Sequence, residues 1–122
     1  MKRGEIWLIN LDPTLGAEIK KTRPAAIVSV DSVGVLPLRV IVPITGWKER
    51  YAQASWMVRL EPDADNGLDK VSCADAFQVR SVSTERFVRR LGQLDEPSIR
   101  AVERALALVL GIDDSFSSEE PL

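Results

Sequence analysis

Residues 24–46 read PAAIVSVDSVGVLPLRVIVPITG, and this stretch decides the fold class. Ala25 to Val30 and Leu38 to Ile44 are short apolar runs rich in β-branched residues, separated by the turn signals Asp31 to Gly34. Runs of this length and composition predict two buried strands joined by a turn. Proline cannot donate a ladder hydrogen bond, so Pro43 is expected at a strand end or bulge, with Thr45 and Gly46 at the mouth of the following loop.

Further strands extend outward from this pair. GEIWLINL (residues 4–11) is β-rich and ends at Asp12-Pro13, while residues 14–22, with Gly16, Ala17, Glu18, Lys20 and Lys21, carry no apolar period and predict a mobile loop. SWMVRL (55–60) predicts a strand, Asn66-Gly67 a turn, and Val71 to Val82 one long or two broken strands. Ser83 to Arg86 predicts a short helical turn and Phe87 to Leu94 a final, partly exposed strand. Residues 96–110 predict a helix: Asp95 can cap it, Pro97 sits in its first turn, apolar residues recur at helical spacing from Ile99 to Leu110, and Gly111 stops it. The fold class is therefore mostly β with α: a small SH3-like barrel of antiparallel strands plus a C-terminal helix. Residues 1–112 are expected to form one domain and residues 113–122, acidic and Ser-rich, a flexible tail.

Composition narrows the chemistry. A chain of 122 residues, 45% hydrophobic and 28% charged, has the usage of one ordinary globular domain, and separate cofactor and substrate modules are not expected. The N-terminal residues show no long apolar run or small-residue cleavage pattern, so a cytoplasmic protein without a membrane segment is expected. There is no histidine and a single cysteine, Cys73, which excludes His-based triads, His-rich zinc sites and an internal disulfide; Cys73 reads as a small buried hydrophobe. No glycine-rich phosphate loop or G-x-S-x-G elbow is present, and no metal or cofactor is expected. Net charge is −2 but polarised: nine Lys and Arg against five Asp and Glu in residues 1–60, seven against thirteen in residues 61–122. A basic half suits a nucleic-acid site.

Polar side chains collect at two strand-to-loop junctions: Glu18, Lys20, Lys21 and Arg23 before the second strand, and Thr45, Trp47, Lys48 and Arg50 after the third. Two such loops could face one another across a barrel rim. Read as isolated residues, Arg23 is better explained as a structural ion-pair partner, Thr45 as a turn cap, and the lysines as simply solvated.

The stretch Gly4-Glu5-Ile6-Trp7-Leu8, through Asp12-Pro13-Thr14-Leu15-Gly16-Ala17-Glu18, to Lys21-Thr22-Arg23-Pro24 resembles the opening of MazF/PemK-type toxins. The resemblance continues at Val42-Pro43-Ile44-Thr45 and, more loosely, at Cys73 to Val82 and Arg89 to Leu94. It implies a sequence-specific, metal-independent endoribonuclease that cuts single-stranded mRNA, built as a homodimer and neutralised by a cognate MazE-like antitoxin. Arg23 matches the arginine of the family's Arg-Pro pair, Thr45 the threonine of its Pro-x-Thr motif, and Glu18 its acidic loop residue. These three are the expected catalytic residues. Some relatives carry histidine where this chain has Ala17, which leaves the groups that transfer protons open.

For RNA contact the candidates are Lys20, Lys21, Lys48 and Arg50 on the backbone, and Trp47 stacked on a base, covering the barrel end or meeting the antitoxin. Asp75, Gln78 and Arg80 lie where the resemblance is loosest; Asp75 and Gln78 can read bases, or Arg80 and Asp75 can form a structural pair. The alternatives are a gyrase poison of the CcdB type on the same barrel and a non-catalytic SH3-like nucleic-acid or peptide-binding module. A gyrase binder has no need of a phosphate-orienting Arg/Thr pair, and the binding module would bind RNA and leave it whole.

Overall fold

A computed structural model describes residues 1–33 and 36–112. The tail expected at residues 113–122 lies outside the described residues. Seven strands and one helix follow in the order β1 (Glu5–Asn10), β2 (Thr22–Ile27), β3 (Leu38–Gly46), β4 (Met57–Leu60), β5 (Ser72–Asp75), β6 (Arg80–Ser83), β7 (Phe87–Gln93) and α1 (Glu96–Leu110). Short 3-10 turns occupy Glu49–Gln53, Ala76–Gln78 and Thr84–Arg86. The Val71 to Val82 stretch is thus two strands, broken where the Asp75 side chain accepts the Phe77 N–H at 3.0 Å and caps a turn.

Every strand pair is antiparallel, in the spatial order β4-β5-β3-β2-β1-β7, with β6 beside β3. β3 is the pivot of the sheet. Its first half, Leu38 to Ile41, pairs with β6, and its last three residues, Ile44 to Gly46, pair with β5. Pro43 falls between these two registers, in the interior of the strand and not at its end, and its missing donor coincides with the change of partner. The second strand also starts earlier than its apolar run predicts: Thr22, Arg23 and Pro24 already pair with β1, opposite Asn10, Ile9 and Leu8. That early start brings Arg23 into the sheet.

Both faces of the central strands are covered, which is why their sequences are continuous apolar runs and not an alternation. On β2, Ala25 and Ile27 join one core with Ile9, Leu11, Ile41 and Val82, under Trp7, Ile19 and Phe87. Ala26 points to the other core, with Ile6, Val42, Ile44, Leu60 and Val102 of the helix. The helix is capped as its sequence predicts: Asp95 accepts the Ser98 N–H at 2.9 Å and Gly111 takes a left-handed conformation, φ 69°. Val102 and Ala105 of the helix are buried against the sheet.

The sheet is not closed by strand pairing, since β4 and β7 end the path. The segment 61–71 spans the gap: the Gln93 N–H donates to the Asp65 carbonyl at 2.9 Å, and two glycines allow backbones to touch. A Cβ at Gly92 would lie 2.2 Å from the Asp65 oxygen, and one at Gly67 (φ +72°) 2.1 Å from the Leu91 oxygen. The result is a barrel-like, curved sheet.

Candidate nucleic-acid cleft

Arg23 and Thr45, 22 positions apart in sequence, line one cleft of about 320 Å³. β2 supplies Arg23, β3 supplies Thr45, the 67–72 segment adds Asp69, Lys70 and Ser72, and β7 adds Arg89. Arg23 is half-buried and its Nε donates to the Lys20 carbonyl at 3.2 Å, so the planar guanidinium is oriented while nitrogens remain for a ligand. Thr45 sits opposite Cys73 in the β3–β5 register. Among the described residues, no carboxylate lies within 4 Å of Arg23, Lys70 or Arg89, so three cations face one cleft without internal ion pairs. Such a cleft favours an anion with several oxygens.

Glu18 is not in that cleft. It lines a neighbouring one of about 570 Å³ together with Ala17, Phe77, Gln78 and Arg80. Pro43 borders this second cleft and Thr45 the first, two positions apart on β3, so the clefts adjoin along that strand. Glu18 closes its own turn: Oε1 accepts the Leu15 N–H at 2.7 Å and its N–H donates to the Leu15 carbonyl at 3.1 Å.

The loop that carries Glu18 is tied down from outside. Gln78 Oε1 accepts the Ile19 N–H at 2.6 Å and its Nε2 donates to the Ala17 carbonyl at 3.1 Å. An Arg80 guanidinium nitrogen donates to the Leu11 carbonyl at 3.1 Å, and Arg86 donates to the carbonyls of Asn10 and Asp12. Asp75 is buried and bonded to the turn that follows it, so the alternative Asp75–Arg80 pair does not form. Burial pushes its carboxyl above the ordinary range, opposed by hydrogen bonds from Phe77 and Gln78.

Lys20 and Lys21 are exposed at the end of the same loop. Lys21 has φ 73°, its N–H donates to Asp12 Oδ1 at 3.1 Å, and its carbonyl accepts the Leu11 N–H at 2.9 Å. This left-handed residue, unusual without glycine, turns the chain into β2, whose second residue is Arg23. Trp47, Lys48 and Arg50 lie past β3. Trp47 is half-buried, with Arg59 over its ring at 5.4 Å, Tyr51 edge-on at 6.0 Å, and Nε1 donating to Glu49 at 3.2 Å. Arg50 stacks over Tyr51 at 5.4 Å, and Lys48 is exposed. Lys70 and Arg89 were not singled out by sequence reasoning. Arg89 carried a signal, lying in the basic alternation of the last strand; Lys70 carried none, because only the β3–β5 pairing brings it to this cleft.

Among the described residues, no three His, Cys, Asp or Glu side chains cluster as a metal site. No helix among them is long and apolar enough to cross a membrane.

A curved antiparallel sheet capped by one helix, with an arginine and a threonine converging in a cationic cleft, defines a small barrel protein equipped for an anionic ligand. The chain belongs to the family described as PemK-like, MazF-like toxin of type II toxin-antitoxin system, whose sequence model matches residues 2–110. It is 33% identical over 118 residues to endoribonuclease MazF9 of Mycobacterium tuberculosis, covering 92% of this chain and 98% of that protein. It is 34% identical over 112 residues to endoribonuclease PemK of Escherichia coli, covering 90% and 82%. MazF of Deinococcus radiodurans superposes with a TM-score of 0.75 at 25% identity, covering 92% of this chain and 97% of that one. The fold also matches a mycobacterial endoribonuclease solved in complex with its cognate antitoxin, with a TM-score of 0.74 at 19% identity over 93% and 97% of the two chains.

Proposed function

We propose that this protein is an endoribonuclease toxin that inhibits translation and growth: it cuts single-stranded mRNA at specific sequences, without a metal, and is held inactive by a cognate antitoxin. The observation that carries this reading is the shared cleft of Arg23 and Thr45. RNA supplies its own nucleophile, the 2′-hydroxyl, so the protein has only to orient it, take its proton and stabilise the phosphorane. Arg23 binds two non-bridging oxygens with its fork, and the Thr45 hydroxyl donates to the same phosphate. As the 2′-oxygen bonds to phosphorus the bond to the 5′-oxygen breaks, leaving a 2′,3′-cyclic phosphate and a 5′-hydroxyl.

Glu18 acts as base. An RNA strand running from the first cleft into the second reaches its carboxylate, where the ribose hydroxyl competes with the Leu15 N–H for Oε1. Lys20, Lys21, Lys48 and Arg50 then contact backbone phosphates, and Trp47, Asp75, Gln78 and Arg80 contribute to base selection or to the shape of the groove. Gln78 and Arg80 do so chiefly by holding the Glu18 loop.

The chain acts in the cytoplasm as a homodimer. The exposed Phe77 and Leu108, grouped with Trp56 and Val109 around an apolar cleft of about 290 Å³, supply a surface that a second subunit can cover. The antitoxin contributes a segment of negative charge that lies over the cationic cleft and keeps RNA out.

Incubation with a long unstructured RNA in EDTA, alongside Arg23→Ala, with cuts mapped by primer extension, tests the proposal. Discrete cuts ending in 5′-hydroxyls are expected from the wild type, with a rate about a hundred to a thousand times lower for Arg23→Ala. Intact RNA from a folded, antitoxin-free preparation would favour the gyrase-poison or binding-module alternatives.

A further inference from the structure

Thr45 of β3, Cys73 of β5 and Arg59 of β4 form one cross-strand row: Thr45 stands opposite Cys73, and Cys73 opposite Arg59. Partners across antiparallel strands point their side chains to the same face of the sheet, so Arg59 shares a face with Thr45. The adjacent row, Ile44, Ala74 and Val58, takes the opposite face and packs in the core. Arg23 lies on the Thr45 side as well, because Ala25 pairs with Pro43, and Arg23 and Thr45 each lie two positions away along their strands, where the facing repeats. One face therefore presents Arg23, Thr45, Cys73 and Arg59 across four strands. The Arg59 and Thr45 backbones, two strands apart, are separated by about 10 Å.

Arg59 is exposed and lies outside both clefts, beyond Thr45 on the side away from β2, yet its tip is directed. The guanidinium sits over the Trp47 ring at 5.4 Å. Trp47 in turn continues the β3–β5 ladder, its N–H donating to the Val71 carbonyl at 3.1 Å, which keeps it on the face of Thr45 two positions earlier. The Arg59 side chain thus leans back from β4 toward β3. One terminal nitrogen pairs with Glu61 at 3.0 Å, leaving the other donors of the fork for a ligand. Cys73, between the two polar residues, is fully buried and uncharged, with Sγ donating to Met57 Sδ at 3.3 Å.

We propose that Arg59 is a further substrate-contacting residue: seated on Trp47, its guanidinium binds a phosphate flanking the one held by Arg23 and Thr45, and so fixes the register of the RNA across the cut. The inference rests on reading Arg23 and Thr45 as the RNA-cleaving pair. Stacking on the indole holds the fork flat with its N–H edge outward, the arrangement that suits a phosphate oxygen pair. Because the contact lies one nucleotide from the reacting atoms, it acts equally on bound RNA and on the transition state.

Binding of a short RNA, 2′-O-methylated so that it cannot be cut, with each phosphate in turn replaced by an uncharged methylphosphonate, tests this in wild type, Arg59→Met and Arg59→Lys. Lys2→Met, at an exposed lysine outside both clefts, controls for loss of one charge. In wild type, replacement at one flanking position is expected to lower affinity about 10-fold. In Arg59→Met the unmodified RNA is expected to bind about 10-fold more weakly, and that replacement to cost nothing further; Arg59→Lys, which keeps the charge without the fork, recovers part of the affinity. Glu61→Gln is expected to tighten binding about twofold in wild type and not in the Arg59→Met background. In single-turnover cleavage, Arg59→Met raises the half-saturating RNA concentration about 10-fold and leaves the saturating rate within about twofold.

The same replacement profile in wild type and Arg59→Met, or an Arg59→Met affinity within about twofold of Lys2→Met, overturns the inference. If wild type leaves uncapped RNA whole, the nuclease reading fails, and the methylphosphonate profile still decides the Arg59 contact by itself.

Discussion

Gln78 is bonded to Ile19 across 59 positions of sequence: its Oε1 accepts the Ile19 N–H at 2.6 Å, and the same side chain donates to the Ala17 carbonyl at 3.1 Å. One amide therefore brackets Glu18 on both sides. An amide satisfies a backbone donor and a backbone acceptor at once, which a carboxylate or a hydrocarbon of similar size cannot do. The position of the candidate base is set by a residue remote in sequence that lines the same cleft.

Gln78→Ala should lose both bonds, at about 1 kcal/mol each. The expected result is a stability loss of about 1–2 kcal/mol in urea unfolding and faster hydrogen exchange at the Ile19 amide. If exchange at Ile19 is unchanged, the bracket does not hold the loop in solution.

Closure of the sheet depends on Gly67 and Gly92, where an added Cβ would meet backbone oxygens at 2.1 and 2.2 Å. Gly92→Ala and Gly67→Ala should each cost about 3 kcal/mol, the upper part of the overpacking range. Gly16→Ala, at φ +56° with nothing within 4 Å of its Cβ, should cost only the left-handed backbone penalty of about 1 kcal/mol. Denaturant unfolding of the three variants checks the order.

Asp75 should make the protein more stable in acid than at neutral pH, in isolation from other groups. Its folded carboxyl is raised, first by burial and against the bonds from Phe77 and Gln78, so the folded state binds its proton more tightly than the unfolded chain. That contribution is fully present below the ordinary aspartate range and is lost as pH rises through the raised folded value. Asp75→Asn keeps an acceptor for the Phe77 N–H and removes the desolvated charge. It should be more stable than wild type at pH 7, with the difference shrinking as pH falls through the raised value; unfolding of both proteins from pH 3 to 8 measures this.

Cys73 is fully buried at the β3–β5 pairing, and burial first, then the Asp75 charge, pushes its thiol up to about 11. The thiolate is the reactive species, so iodoacetamide at pH 8 should leave the native protein unlabelled and react fully only after unfolding. Labelling of the folded protein within minutes would show that this edge of the sheet opens.

Strand and helix identities were largely legible in the sequence because they follow from local periodicity and capping. Asp95, Pro97 and Gly111 delimit α1, and the apolar runs mark β2 and β3. The break between β5 and β6 was legible only as an alternative, since Asp75 caps its turn through a single side-chain bond. Arg23 and Thr45 were legible as a pair through the motifs that flank Pro24 and Pro43. Glu18 was legible as a residue but not in its place, because a loop without an apolar period takes its path from distant anchors such as Gln78 and Arg80.

Residue order alone was enough for an antiparallel sheet with one helix, for chemistry without histidine or a cysteine pair, and for the family motifs. Tertiary structure decided that β3 exchanges β6 for β5 around Pro43 and that Glu18 borders a different cleft from Arg23. The division has a physical cause. Periodicity, capping and turn preference act over a few neighbouring residues, whereas strand register and loop anchoring are settled by which distant surfaces bury one another and which distant donors find acceptors.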